Sequence, residues 1–234
     1  MRAIDAAGFE RKFRQTIDPW NYASSRFERY KRGILLRACG PSRRGRVLEL
    51  GCAIGETTRR LARLSLRLLA VDASPTALAE AMRRCAGSKN ITFRRALLPR
   101  ETPRGPFDLV VVSELSYYLP ARQLNALAVR IFAALAPGGD VVVLDHRRPF
   151  DDAAVPPFLA HRRLRRHFAR NMSPIIAKSY RHFDIATFRK RRRLAKAPRW
   201  SRPCMPSLRR PTPMSAATPS RITRRNSVRR KRHR

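Results

Sequence analysis

Four short apolar runs decide what this chain can fold into: VLEL at 47–50, LLAV at 68–71, LVVV at 109–112 and VVVL at 141–144. Runs that are mostly or wholly apolar belong to strands covered on both faces, as in parallel sheets. They place strands at 46–50, 68–72, 91–94, 108–113 and 140–145, with helical patterns at 57–67, 75–85 and 121–135 between them. That alternation predicts an α/β fold, a Rossmann-like doubly wound sheet with right-handed crossovers. Ser74 and Pro75 supply an N-cap and a favourable first-turn proline. The glycines of LAPGGD end the 121–135 helix before the last parallel strand. A basic helix is expected at 153–170, and 173–190 reads as two alternating strands turning near Arg181 and His182. These would close the sheet as a C-terminal antiparallel hairpin.

Three zones follow. Residues 1–40 form a helical lead-in or lid, with a turn at Asp18-Pro19 and then Phe27, Tyr30, Ile34 and Leu35 at near-helical spacing. Residues 41–190 form the α/β domain, and 191–234 a basic, Arg/Pro-rich tail. The formal charge of +36 is uneven: residues 1–145 carry 25 Lys/Arg against 13 Asp/Glu, and 146–234 carry 27 against 3. With 45 arginines to seven lysines, part of the excess reflects GC-rich codon usage rather than a partner. The tail holds sixteen Lys/Arg, no acid and six prolines, a composition that predicts disorder. It is either an arm for non-specific contact with nucleic acid or an anionic surface, or an extension without function. No apolar stretch reaches membrane-span length, the N-terminus has no secretory h-region, and the four cysteines are scattered. No metal site and a cytoplasmic location are therefore expected.

Glu49, Gly51, Ala53 and Gly55 make an E-x-G-x-A-x-G loop between the first strand and the next helix. Glycines there allow positive φ and close approach to a ligand. Alone, such a broken motif is as consistent with a plain structural turn. Asp72, about twenty residues on at the end of the second strand, is placed to accept hydrogen bonds from both hydroxyls of a ribose. Loop and acid together indicate a nucleoside-cofactor crevice. NAD usually requires the full glycine fingerprint, and Glu56 in the first turn of the helix would repel a diphosphate, unless it is simply a helix-dipole partner. An acid at 49 suits a zwitterion, such as the amino acid moiety of S-adenosylmethionine.

The stretches DPWNYASSRFERYKRGILL, VLELGCAIGETTRRLA, LLAVDASPTALAEA, FDLVVVSELSYYL and ALAPGGDVVVL resemble the class I S-adenosylmethionine-dependent methyltransferases, in particular the nodulation protein S family of N-methyltransferases. The likeness covers residues 18–145, weakens towards 190 and excludes the tail. It implies S-adenosyl-L-methionine as cofactor. Glu49, Gly51, Ala53 and Gly55 would flank the methionine part, Asp72 with Ala73 the ribose, and the 95–98 stretch with Leu97 the adenine. Ser113 would complete the set. Many class I methyltransferases carry an acid at the adenine position; here the sequence is RRALLP, so backbone contacts would serve instead.

The acceptor side of such a fold lies beyond the ends of strands four and five. Those edges carry Ser113, Glu114, Tyr117, Tyr118, Asp145 and His146. Glu114 is the first candidate for taking a proton from an amine or hydroxyl, His146 the second. Tyr117 and Tyr118 can stack on a sugar or line the sulfonium, and Trp20 and Tyr22 can form a lid. The turn SELSYY lacks the [DN]PP[YF] pattern of enzymes that methylate DNA base amines. The resemblance implies an amine of a small-molecule or oligosaccharide acceptor of chitin-derived type. An RNA-associated methyltransferase, or a nucleic-acid-binding protein using the tail, is the alternative, and NAD chemistry a third possibility.

Overall fold

The computed structural model describes residues 4–192, so the expectations for the tail from 193 onward lie outside the described residues. A seven-stranded sheet runs in the order β3-β2-β1-β4-β5-β7-β6. Its strands are β1 (Arg44–Leu50), β2 (Ser65–Asp72), β3 (Ile91–Arg95), β4 (Phe107–Ser113), β5 (Leu135–His146), β6 (Met172–Ser179) and β7 (Phe183–Lys190). The first five pair in parallel, and β7 runs antiparallel between β5 and β6. This is the Rossmann-like sheet with a C-terminal hairpin, and its strand order reverses between β1 and β4. Ligands of open α/β sheets lodge at such a reversal.

Alternate residues of the central strands serve opposite faces. Val110, Val112, Val141 and Val143 pack with Leu124, Leu127 and Ile131 of α5 (Ala121–Ala134) and Leu164 and Phe168 of α6 (Pro157–Asn171). Leu109, Val111, Val142 and Leu144 pack with Ile34, Leu35 and Ala38 of α2 (Arg26–Ala38) and with Leu61 of the short helix α3 (Thr58–Leu61). Each of these strand side chains is fully buried, which is why the runs lack the polar alternation of half-exposed strands. α4 (Pro75–Arg84) starts at the expected cap, where Ser74 Oγ accepts from Ala77 N at 3.0 Å.

The N-terminal segment holds α1 (Ala6–Gln15), and the Asp18 carboxylate closes the turn before α2 by accepting from Tyr22 N and Ala23 N at 2.7 and 2.9 Å. α1 is tied to the start of α4 by Glu10, which accepts from Ser74 Oγ and Thr76 Oγ1, each at 2.6 Å. Burial opposes ionisation of Glu10, but hydrogen bonds from Ser74, Thr76 and Arg14 outweigh it and hold the carboxyl down at about 2.

Three expectations need correction. The 57–67 helix is shorter: α3 gives way to a 3₁₀ turn at Ala62–Leu64, and β2 already begins at Ser65. Leu64, Leu66 and Leu68 fit a period of two as well as a helix, and pairing of Arg44 with Ser65 decides for the strand. The glycines of LAPGGD do not separate α5 from β5; they lie inside β5, at the register shift between Phe107 and Leu109. Of the apolar positions assigned to α2, Ile34 and Leu35 are buried, but Phe27 and Tyr30 face outward. Among the described residues, no helix is long and apolar enough to cross a membrane.

Candidate functional site

A cavity of about 450 Å³ opens at the carboxyl ends of β1, β2 and β4, roofed by Phe9 and Phe13 of α1 with Trp20 and Tyr22 from the loop before α2. The β1–α3 loop forms its floor. Gly51, Ala53 and Gly55 all have positive φ, at 74°, 45° and 83°. Position 53 therefore demands the same left-handed backbone as its glycine neighbours although it carries a methyl group, a conformation that strains a side-chain-bearing residue. The three positions have different reasons to be small. Gly51 and Ala53 line the cavity. Gly55 does not; a Cβ there would sit 3.0 Å from Ala81 Cα, so its smallness serves the packing of α4.

Asp72 ties the loop down. Its Oδ2 accepts from Ala53 N at 2.8 Å and its Oδ1 from Ser74 N at 3.0 Å. A carboxylate offers about four acceptor positions, so Asp72 keeps acceptor capacity for a ligand facing the cavity. Burial nevertheless pushes the Asp72 carboxyl up, against the hydrogen bonds from Ser74, Ala53 and Ala73. Glu49 is buried to the same side, with no hydrogen-bond partner for Oε2, and burial raises its carboxyl to about 8. A buried acid without a partner is a costly feature unless something cationic meets it.

Ala73, Ala96, Leu97 and Leu98 line the far end. The amide of Leu97 is not available to a ligand: it donates to Glu101 Oε2 at 2.9 Å. An adenine amino group is itself a donor, so the backbone contact expected there is with a carbonyl, which this bond leaves untouched. Glu56 lines the cavity, but Arg84 lies 2.9 Å from its carboxylate, with Arg32 and Arg59 at 3.7 Å. Its charge is offset by three guanidinium groups, so it is no argument against a diphosphate; buried Glu49, with Oε2 unbonded, carries the electrostatic case instead.

At the other side of the cavity, Ser113 ends β4 and Glu114 follows it. Glu114 has a positive φ of 56°, and its amide donates to Leu144 O at 2.8 Å. Its carboxylate is closely held: Lys31 Nζ of α2 lies 2.9 Å from Oε1, while the Tyr117 hydroxyl and the His146 amide (3.3 Å) donate to Oε2. Lys31 also reaches Glu28 at 2.8 Å and lies in the cavity wall. A carboxylate with two donors on one oxygen and an ammonium beside the other is an anchor rather than a free proton acceptor. Tyr118 lines the cavity, packed edge-on against Phe9 at 4.7 Å. Tyr117 is buried in the α5–α6 core and is not in the lining, so its hydroxyl reaches Glu114 and not a ligand. His146 also lies outside the lining; burial holds its imidazole below the usual histidine range, and its link to the site is its backbone amide. Asp145 is fully buried, bonded to Ser116 and His161.

Sequence reasoning missed Lys31 and Arg32. Both are less than a tenth exposed, on the helix stripe that includes Ile34 and Leu35. Charged residues on an otherwise apolar stripe were the available signal. Arg32 gives one of its donors to Tyr22 O at 2.6 Å, leaving others for a ligand carboxylate in the same cavity.

The family model for "Nodulation protein S (NodS)" matches residues 7–149. Nodulation protein S of Sinorhizobium fredii (strain NGR234) is 34% identical over 129 residues, covering 53% of this chain and 59% of that protein. Trans-aconitate 2-methyltransferase of Methylobacterium nodulans is 35% identical over 125 residues, covering 49% and 46%. The chain thus spans about half the length of these curated relatives. Among solved structures, the N-methyltransferase NodS of Bradyrhizobium japonicum WM9, in complex with S-adenosyl-L-homocysteine, matches with a TM-score of 0.67. It covers 77% of this chain and 97% of that one, at 24% identity, a likeness of fold.

Proposed function

Because this chain belongs to the nodulation protein S family, we propose that it is an S-adenosylmethionine-dependent methyltransferase whose acceptor is an amine on a small molecule or a chitin-derived oligosaccharide. One observation carries the cofactor reading: buried Glu49, whose Oε2 has no hydrogen-bond partner, and buried Arg32 line the same cavity as Asp72. An acid and a base in one wall fit the ammonium and carboxylate of an amino acid moiety, and neither is needed for NAD. Glu49 pairs with the ammonium, Arg32 with the carboxylate, and Gly51 and Ala53 leave room for the chain between them. Asp72 accepts from the ribose while holding Ala53 in its left-handed conformation. When bound, adenosylmethionine supplies an electrophilic methyl group for in-line displacement. The chain's contribution is to exclude water with the Phe9, Phe13 and Trp20 roof and to orient the acceptor against Ser113 and Glu114. With Lys31 Nζ beside one carboxylate oxygen and two donors on the other, Glu114 anchors an acceptor N–H or O–H; an amine acceptor enters in its neutral form.

Calorimetric titration with S-adenosyl-L-homocysteine and with NAD, with Asp72→Ala as control, tests the cofactor: binding of NAD alone would end this reading. Labelled adenosylmethionine with chitotetraose de-N-acetylated at its non-reducing end tests the acceptor. Methyl transfer to an oxygen is the second reading, favoured by the ion pair of Lys31 with Glu114, which leaves no free base for an ammonium acceptor. Label appearing in a carboxylic acid such as trans-aconitate, and none in the amine, would select it.

A further inference from the structure

Beneath the β4–β5 edge lies a polar cluster that the proposed reaction does not use. Asp145 of β5 accepts from Ser116 Oγ at 2.6 Å and meets His161 Nδ1 of α6 at 3.0 Å. All three residues are at most 2% exposed, and Tyr117, Leu124, Ala160 and Leu164 form the core there. A buried carboxylate is tolerated only with donors on it, and apolar residues of the same volume would pack there as well. What the cluster does hold together is specific. Ser116 is two residues beyond Glu114, and Asp145 directly precedes His146, whose amide donates to the Glu114 carboxylate. Glu114 itself has a φ of 56°, a left-handed conformation that a glutamate keeps only when its surroundings enforce it. The Ser116–Asp145 bond staples the two segments that converge on Glu114, and His161 fastens the staple to the 15-residue helix α6. From the other side, Tyr117 O accepts from Ala154 N and Val155 N at 2.9 and 3.1 Å, tying the same 3₁₀ turn (Ser116–Tyr118) to the segment that leads into α6.

We propose that Ser116, Asp145 and His161 are positioning residues that lock the strained Glu114 turn and so aim its carboxylate into the acceptor side of the cavity. None of the three touches the cavity, so they act through Glu114 and through Tyr118, which follows in the same turn. The inference rests on reading the β4–β5 edge as the acceptor side. It separates this edge from the β1–β2 edge, where the loop is held by backbone amides and by Asp72.

The test uses the full chain with Ser116→Ala, His161→Ala and His161→Asn; the asparagine amide can replace the Nδ1–H donor. Amide hydrogen exchange at 114–118, affinity for S-adenosyl-L-homocysteine, and kcat and KM on the de-N-acetylated chitotetraose are measured. Expected are at least tenfold faster exchange at 114–118 in both alanine variants, unchanged exchange at 47–50, and homocysteine-ligand affinity within twofold. kcat falls at least tenfold with little change in KM, and His161→Asn restores most of both readouts. Should His161→Ala fail to fold, Ser116→Ala, which deletes one oxygen, decides. Wild-type exchange at 114–118 in Ser116→Ala, or a loss spread evenly over both edges, overturns the proposal. If the wild-type chain leaves the chitotetraose unmethylated, the acceptor reading fails on its own, and the exchange data still decide this one.

Discussion

The two edges of the cavity are built by different means. At the β1–β2 edge, the acid that shapes the loop is held by main-chain amides: Asp72 takes Ala53 N and Ser74 N. At the β4–β5 edge, the acids are held mainly by side chains from elsewhere in the chain: Glu114 by Lys31 and Tyr117, Asp145 by Ser116 and His161. A backbone-held site keeps its shape whatever neighbouring side chains become, so its geometry is encoded locally. A site held by remote side chains can be retuned by single substitutions, which suits the acceptor role proposed for this edge.

That contrast can be broken. Asp72→Ala removes two charge-assisted hydrogen bonds within the loop and the ribose acceptor, and should weaken S-adenosyl-L-homocysteine binding about a thousandfold. A calorimetric loss of less than threefold would remove Asp72 from the site. Gly55→Val should cost about 3 kcal/mol in urea unfolding, because φ is 83° and the new Cβ would meet Ala81 backbone at 3.0 Å. Glu114→Gln should lower turnover about tenfold while leaving homocysteine-ligand affinity within twofold; full activity in this variant, with a flat pH–rate profile, would end its acceptor role.

Glu49 gives a pH signature on the cofactor side. Its carboxyl titrates near 8 when folded because of burial, and near ~4.3 when unfolded. The folded chain therefore holds a proton that the unfolded chain has lost, so stability falls as pH rises from about 4 to 8 and then levels. Pairing with a ligand ammonium requires the ionised form, so cofactor affinity should rise towards pH 8, at most about tenfold per pH unit. Glu49→Gln should flatten both trends; an unchanged thermal-stability profile would count against them. The smallest effect sharpens the loop itself. Ala53→Gly relieves the left-handed strain at 45° and should stabilise by up to about 1 kcal/mol in urea unfolding, with cofactor affinity nearly unchanged.

The legible features were local ones. Four apolar runs marked the central strands because a strand buried on both faces has no polar alternation to blur it. Asp72 was legible as an acid of the cavity because its place there follows from its place at a strand end. Tyr117 and His146 stand at the expected edge but outside the cavity lining, because position at an edge does not say which way a side chain turns. The Tyr117 side chain turns into the core, and His146 contributes its amide rather than its ring to Glu114. Gly55 carried the motif's pattern but serves α4 packing, a distinction set by a neighbour 26 residues away.

By itself, then, the sequence determined the alternation of strands and helices, the left-handed loop after β1 and the acid at the end of β2. These rest on burial periodicity and on backbone sterics, which act over a few residues. The tertiary structure decided which charges are spent and which remain free. Glu56 is offset by three arginines, Glu114 is claimed by Lys31 more than eighty residues earlier, and Glu49 is left with no ion pair and with Oε2 unbonded. Ion pairs and buried hydrogen bonds depend on distances of a few ångströms between segments remote in sequence, and only the folded chain brings those segments together.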